Sequence, residues 1–248
     1  MQHSDGKLEG IARAESICPN DGMCLSVDWG RSSTEPSNDL ACSTSGGTLS
    51  RLKLTDTDLR QDMTWAAHDA EVWMCSFDAW NANVLYSGAD DCVLKVWDQR
   101  AGTAVPCAVN RKSHTMGVCC MESSPHEEHV LATGSYDEKI RVWDMRNLCL
   151  PVLTRDVCVG GGVWRVKWHP TDPTLLLSAA MHGGFAVVKN AAGGLSLQDT
   201  WPGTLGYGVD WYRGDVRLRC GWRALVGFSL AGTCSFYDRV FQLRSFAH

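Results

Sequence analysis

The chain has 248 residues, 44% of them hydrophobic and 21% charged, with a formal net charge of −5. That balance excludes a disordered chain, and mild acidity without a block of Lys or Arg argues against nucleic acid or an anionic membrane as partner. No apolar run approaches the roughly 18 residues of a spanning helix, and Met1–Gly6 has acid in place of an apolar core, so the expectation is a soluble cytoplasmic protein without a signal peptide.

From residue 25 onward apolar residues alternate with polar ones, the pattern of strands. Leu25, Val27 and Trp29 are followed by the apolar run 40–42, and Trp73, Cys75 and Phe77 by 84–86. Cys119, Met121 and Ser123 come next, with 130–132, then Trp164, Val166 and Trp168 with 175–177. Tyr207, Val209 and Trp211 close the series, followed by either Ala224–Val226 or Leu230–Ala231.

These strands lie on a repeat. His68, Gly88, Asp91 and Trp97 each recur 46 residues later, as His114, Gly134, Asp137 and Trp143. The period continues in degenerate form, with Val163 lying 45 after Val118 and Pro170 lying 45 after Pro125. A spacing of about 40–45 ending in Trp-Asp is the signature of WD repeats, one four-stranded blade per repeat. A single blade cannot bury both faces of its sheet, so blades stack around an axis.

The expected fold is therefore all-β, a WD40-type β-propeller. Five blades are visible, near 25–60, 65–105, 111–150, 158–200 and 204–245. Residues 1–24 read as a poorly structured segment or the remnant of a preceding blade. Because such rings more often close with seven, the expectation is an N-terminally incomplete seven-bladed ring.

His68, Ser87, Asp91 and Trp97 fit a buried relay in which indole, hydroxyl, imidazole and carboxylate satisfy one another. His114, Thr133, Asp137 and Trp143 fit it again. A Ser/His/Asp set invites comparison with a catalytic triad, but its recurrence at fixed spacing marks it as scaffolding. In the fourth repeat the relay fails. His182 falls at the Asp position, Val188 at the Trp position and Val159 at the His position. His182, in a turn between strands, thus has no structural duty, whereas His169 reads as a strand-end residue.

Twelve cysteines include no C-x-x-C pair, and Cys75, Cys92 and Cys158 sit in apolar stretches, where a thiol behaves as a small hydrophobe. No metal or cofactor motif is present, nor a G-x-S-x-G, H-E-x-x-H or Walker element. Gly160–Gly162 lacks the helix of a phosphate cradle and reads as a turn. On these residues alone the chain is a binding platform.

Several strings resemble a family, the WD-repeat diphthine methyl ester hydrolases of diphthamide biosynthesis. They are Arg111–Cys119, Ser123–His126, Leu131–Glu138, Gly161–Pro170, Met181–Phe185, Tyr207–Trp211 and Thr233–Asp238, across roughly residues 24–244. The chain departs from the family in lacking additional N-terminal blades and in the shortness of 212–229. The resemblance implies hydrolysis of the methyl ester of methylated diphthine on translation elongation factor 2. On that footing His182 is the candidate base for an attacking water, Asp210 its orienting partner and Arg165 the oxyanion donor. Trp164, Trp168, Tyr207 and Trp211 are candidates for a cage around the substrate's trimethylammonium group, or else ordinary core. A competing reading rests on Arg100 and Arg146, each ending a W-D-x-R string. These strings resemble those of cullin-type ubiquitin-ligase substrate receptors, in which the Arg meets the adaptor.

Overall fold

The computed structural model describes residues 22–31, 36–56, 58–102, 105–214, 219–220, 223–224 and 228–247. The segment expected to be irregular, 1–24, lies outside these up to residue 21. Five antiparallel sheets follow one another in chain order. The first blade is β1 (Cys24–Arg31), β2 (Pro36–Thr44), β3 (Thr48–Leu54) and β4 (Leu59–Ala66). The second is β5 (Met74–Phe77), β6 (Val84–Gly88), β7 (Leu94–Asp98) and β8 (Ala108–Asn110). The third is β9 (Val118–Ser123), β10 (Val130–Ser135), β11 (Lys139–Asp144) and β12 (Val152–Cys158). The fourth is β13 (Arg165–Trp168), β14 (Leu175–Ala179), β15 (Phe185–Ala191) and β16 (Gly194–Trp201). In the fifth, β17 (Gly206–Trp211) pairs with β20 (Phe228–Ser235) and β20 with β21 (Phe241–Ala247). A short ribbon of β18 (Arg219–Cys220) and β19 (Arg223–Ala224) stands between β17 and β20.

Of the two options for the fifth blade's second strand, Leu230–Ala231 is the one in the sheet. Ala224 belongs to the ribbon, while Leu225 and Val226 lie outside the described residues. The first blade runs on to Ala66, past the expected residue 60, because β4 is solvent-exposed along most of its length and has no apolar alternation to mark it.

Each blade begins with its innermost strand, and these strands pack in series: β1 on β5, β5 on β9, β9 on β13 and β13 on β17. The alternating positions face the neighbouring blades. Cys75, Phe77, Met121, Val166, Trp168, Val209 and Trp211 are all buried. Among the described residues no strand of the first blade packs extensively on one of the fifth, so the blades form an arc about the axis.

Among the described residues Cys75, Cys119 and Cys120 are free thiols. Burial pushes those of Cys75 and Cys120 up to about 12 and raises that of Cys119 as well, which makes all three inert. Cys158 is exposed and Cys92 half-buried, because Cys158 ends the outermost strand β12 and Cys92 sits in the turn before β7.

Candidate functional site

In the second blade the polar relay closes. Trp97 Nε1 donates to Ser87 Oγ at 2.8 Å, His68 Nε2 meets the same hydroxyl at 2.8 Å, and His68 Nδ1 meets Asp91 Oδ2 at 2.9 Å. Burial pushes the Asp91 carboxyl up, but the bond and charge of His68 outweigh it and hold the group below its usual range.

The third blade departs from the expected relay. Trp143 Nε1 and His114 Nε2 meet Thr133 Oγ1 at 2.9 and 3.0 Å, yet His114 Nδ1 is buried without a partner. Asp137 is taken instead by both Arg141 guanidinium nitrogens, at 2.9 and 2.7 Å, and by the Thr115 N–H at 3.0 Å. In the second blade the equivalent cation, Lys95, turns to the Ala67 carbonyl and leaves Asp91 for the imidazole. In the fourth and fifth blades the hydroxyls in this register, Ser178 and Thr233, are buried without partners.

One mouth of the axial channel is aromatic. Trp164, in the loop entering β13, touches Trp73 at 5.6 Å between ring centroids, Tyr136 at 5.9 Å and Tyr207 at 5.1 Å. Tyr207 in turn meets Phe236 at 5.1 Å. The Trp164 indole N–H is buried without a partner, and the Arg165 guanidinium lies 5.5 Å from its ring centre. Trp73 Nε1 donates to Asp90 Oδ1 at 3.1 Å, which sets a carboxylate at the rim. Small residues permit this closeness: a Cβ on Gly162 would stand 2.8 Å from the Tyr136 ring, and one on Gly117 2.6 Å from Asp90 Oδ1.

His182 is exposed in the β14–β15 turn. Its neighbour Met181 bridges to Gly206, and Gly184 holds the turn in the left-handed region at φ 77°. Ala179 pairs with Arg165, so the turn that carries His182 stands at the same end of the blades as Arg165, Trp164 and Tyr207.

The remaining expected site residues lie elsewhere. Asp210 stands four residues along β17 from Gly206, roughly 13 Å at about 3.3 Å per residue, and faces Arg213 at 3.9 Å. It is therefore too distant to orient His182. Trp168 and Trp211 are buried toward the other end of their strands. Trp168 packs in the third–fourth blade core, and Trp211 stacks edge-on against His169 at 4.6 Å. The four expected cage residues thus divide into a pair at the mouth and a pair in the core. Period-two alternation gave all four the same face but could not rank them along the axis. Trp73, Tyr136 and Phe236 were missed as site residues, although the last two lie inside the strings that carry the family resemblance.

A Ser–His pair also emerges, Ser229 with His169, both buried. His169 Nδ1 accepts the N–H groups of Thr171 and Asp172 at 3.2 and 2.9 Å. The ring proton must then sit on Nε2 and point at Ser229, the wrong tautomer for activating a serine. This pair is structural. Further down the channel Glu122 pairs with Lys167 at 3.2 Å and accepts the Trp168 N–H at 2.6 Å. Burial raises its carboxyl above the usual range despite the nearby lysine. Asp28 accepts the Phe77 N–H at 2.9 Å in the same way, so both carboxylates clamp one blade to the next. Among the described residues no group of three or more His, Cys, Asp or Glu is placed to hold a metal, and no helix is long and apolar enough to cross a membrane.

Residues 60–98 and 106–144 match the family model of the WD domain, G-beta repeat. The diphthine methyltransferase of Mus musculus is 42% identical over 203 residues, 76% of this chain and 42% of that protein. The diphthine methyltransferase homolog of Dictyostelium discoideum is 32% identical over 256 residues, 96% of this chain and 66% of that protein. The chain thus spans less than half the length of the mouse relative. Among solved structures, a chain in the crystal structure of a mitotic checkpoint complex superposes with a TM-score of 0.71 at 18% identity, covering 91% of this chain and 62% of that one. That likeness concerns the fold alone.

Proposed function

Because the chain is a WD-repeat protein of propeller architecture, similar over most of its length to diphthine methyltransferases, we propose that it acts in diphthamide biosynthesis, hydrolysing the methyl ester of methylated diphthine on translation elongation factor 2. One observation carries this reading. The family-like strings that supply Tyr136, Trp164, Arg165, Tyr207 and Phe236 are far apart in sequence and meet in one aromatic cluster, and the turn that carries His182 is bridged to Gly206, next to Tyr207.

The relatives' name speaks of methyl transfer, whereas the proposed step is hydrolysis. Water attacks the acyl carbon, methanol leaves, and a carboxylate and a proton remain. His182 takes the proton from water and returns it to the departing methoxide. Arg165 stabilises the oxyanion of the tetrahedral intermediate. The rings of Trp73, Trp164 and Tyr207, with Asp90 at the rim, take the trimethylammonium group; each such face contributes about 0.5–2 kcal/mol.

The test is methanol release from methylated elongation factor 2 by the purified chain. Release that falls at least a hundredfold in folded His182→Ala supports the roles given. Unchanged turnover in that variant removes His182, and no release from the unaltered chain ends the hydrolase reading.

A second reading is favoured by Arg100 and Arg146. Both guanidinium groups are exposed on consecutive blades, each clasped by the aspartate two residues before it, at 2.6 and 2.5 Å. This repeated display suits docking of a ubiquitin-ligase adaptor. Adaptor capture that is lost in the Arg100→Ala/Arg146→Ala double variant, beside an absence of methanol release, would favour it.

A further inference from the structure

Backbone bonds carry the polar relay of the second and third blades over to the fifth. Asp90, Tyr136 and Phe236 donate their N–H groups to the carbonyls of Glu71, Gly117 and Leu205, at 2.9, 2.9 and 3.1 Å. Three residues before those carbonyls stand His68, His114 and Pro202. Asp91, Asp137 and Asp238 each accept the N–H group two residues further on, at 3.0, 3.2 and 3.3 Å. Ala231 lies opposite Arg244 as Leu85 lies opposite Trp97, and the Arg244 guanidinium stacks 4.7 Å from the Trp201 ring centre. The fifth blade thus keeps the hydroxyl, Thr233, and the carboxylate, Asp238. Pro202 stands in the place of the imidazole and Arg244 in that of the indole.

The two replacements leave space at the junction of the fourth and fifth blades. A cavity of about 230 Å³ is lined there by Phe185, Pro202, Thr204, Thr233, Ser235 and Asp238 among others. Thr233 forms its floor, 2% exposed, and the Thr233 hydroxyl has no partner. Pro202, Thr204 and Asp238 are exposed and form its rim. The Thr204 hydroxyl donates to Asp238 Oδ2 at 2.6 Å. That bond, with another from Ser235, holds the carboxyl below its usual range and so keeps it charged. In the fourth blade the buried side chain of Val159 occupies the position of the histidine. In the fifth the exposed ring of Pro202 leaves it open.

We propose that this cavity binds an imidazole ring, which completes the relay of the fifth blade from outside the chain. One ring nitrogen takes the bond of the Thr233 hydroxyl, and the N–H of the other turns to Asp238. His68 meets Ser87 and Asp91 in the same way within the second blade. A cavity of roughly 150 Å³ holds benzene, so the space suffices for a five-membered ring. The ring satisfies a buried hydroxyl that otherwise carries its desolvation cost unrelieved. It arrives either as the side chain of a histidine on a bound protein or as a free heterocycle. The inference is independent of either reading of function.

NMR titration of the isotope-labelled chain with imidazole, and separately with N-acetylhistidine methylamide, tests it at about pH 8, where both rings are neutral. Saturable movement of the Thr233, Ser235 and Val240 amide signals is expected with imidazole. The same movement with the histidine derivative assigns the site to a histidine side chain, and movement with imidazole alone assigns it to a free heterocycle. Thr233→Val keeps the shape of the floor and removes the hydroxyl, so imidazole should bind about tenfold more weakly. Pro202→His supplies the ring from the chain itself, so added imidazole should no longer bind and the urea midpoint should rise. Far-UV circular dichroism confirms that both variants are folded. An unaltered chain without saturable movement, unchanged affinity in Thr233→Val, or binding that survives in Pro202→His overturns the proposal.

Discussion

Arg141 holds Asp137 through two hydrogen bonds, at 2.9 and 2.7 Å, and so leaves His114 in the same blade without a carboxylate. Burial, reinforced by the charge of Arg141, pushes that imidazole from 6.5 down to about 4. Between those values the unfolded chain binds a proton that the folded chain refuses. The contribution to stability is therefore complete above pH 6.5 and is lost as pH falls toward 4, at most about 3 kcal/mol. Urea unfolding across that window should show the loss, and His114→Gln should flatten it. Arg141→Lys, which copies the second blade, should return Asp137 to the imidazole and raise its pKa in an NMR titration.

The buried hydroxyls of the second and fourth blades answer oppositely to the same substitution. Ser87→Ala strands the Trp97 indole and the His68 imidazole, both bonded to that oxygen, and should destabilise by about 1–3 kcal/mol. Ser178→Ala removes a buried hydroxyl that has no partner and should be neutral or stabilising. Denaturant midpoints of the two variants check this directly.

Trp164, Trp168, Tyr207 and Trp211, in or just before two inner strands, divide by their position along the axis. Trp168→Ala opens a cavity in the core between blades and should lower stability by about 3–5 kcal/mol. Tyr207→Leu, at the half-buried mouth, should leave the unfolding midpoint nearly unchanged. If the proposed substrate is correct, it should raise KM about 2–30-fold, the span of a lost cation–π contact.

Gly161 supports the turn that carries His182. An added Cβ would collide with the Ala180 carbonyl oxygen and the Gly183 nitrogen, both backbone atoms. Gly161→Ala should therefore destabilise by about 1–3 kcal/mol and reduce turnover together with it. Gly160→Ala provides the contrast: nothing stands near its Cβ, and its φ of 82° makes the change a matter of backbone strain alone.

The two middle blades were legible in the sequence because a complete polar relay demands His, Ser or Thr, Asp and Trp at set distances. The fourth and fifth were legible only through strand alternation, since apolar Val159 and Val188 replace relay members in the fourth. Nothing marked the extent of β4, an outer strand with little to bury. The site was half legible. Trp164 and Trp168 share a face and so look alike in any alternating pattern, although one lies at the mouth and the other in the core. The diversion of Asp137 to Arg141 was hidden for a different reason, because two blades with matching relay positions differ in the cation beside them, Lys95 in one and Arg141 in the other.

Cys119 occupies the register that Trp73, Trp164 and Tyr207 occupy in the second, fourth and fifth blades. With only a thiol at that place, the indoles of non-adjacent blades meet over it. The aperture of the channel is thus governed by a side chain outside the aromatic cluster. A bulkier residue at 119 would part the two indoles and convert a closed aromatic floor into an open throat.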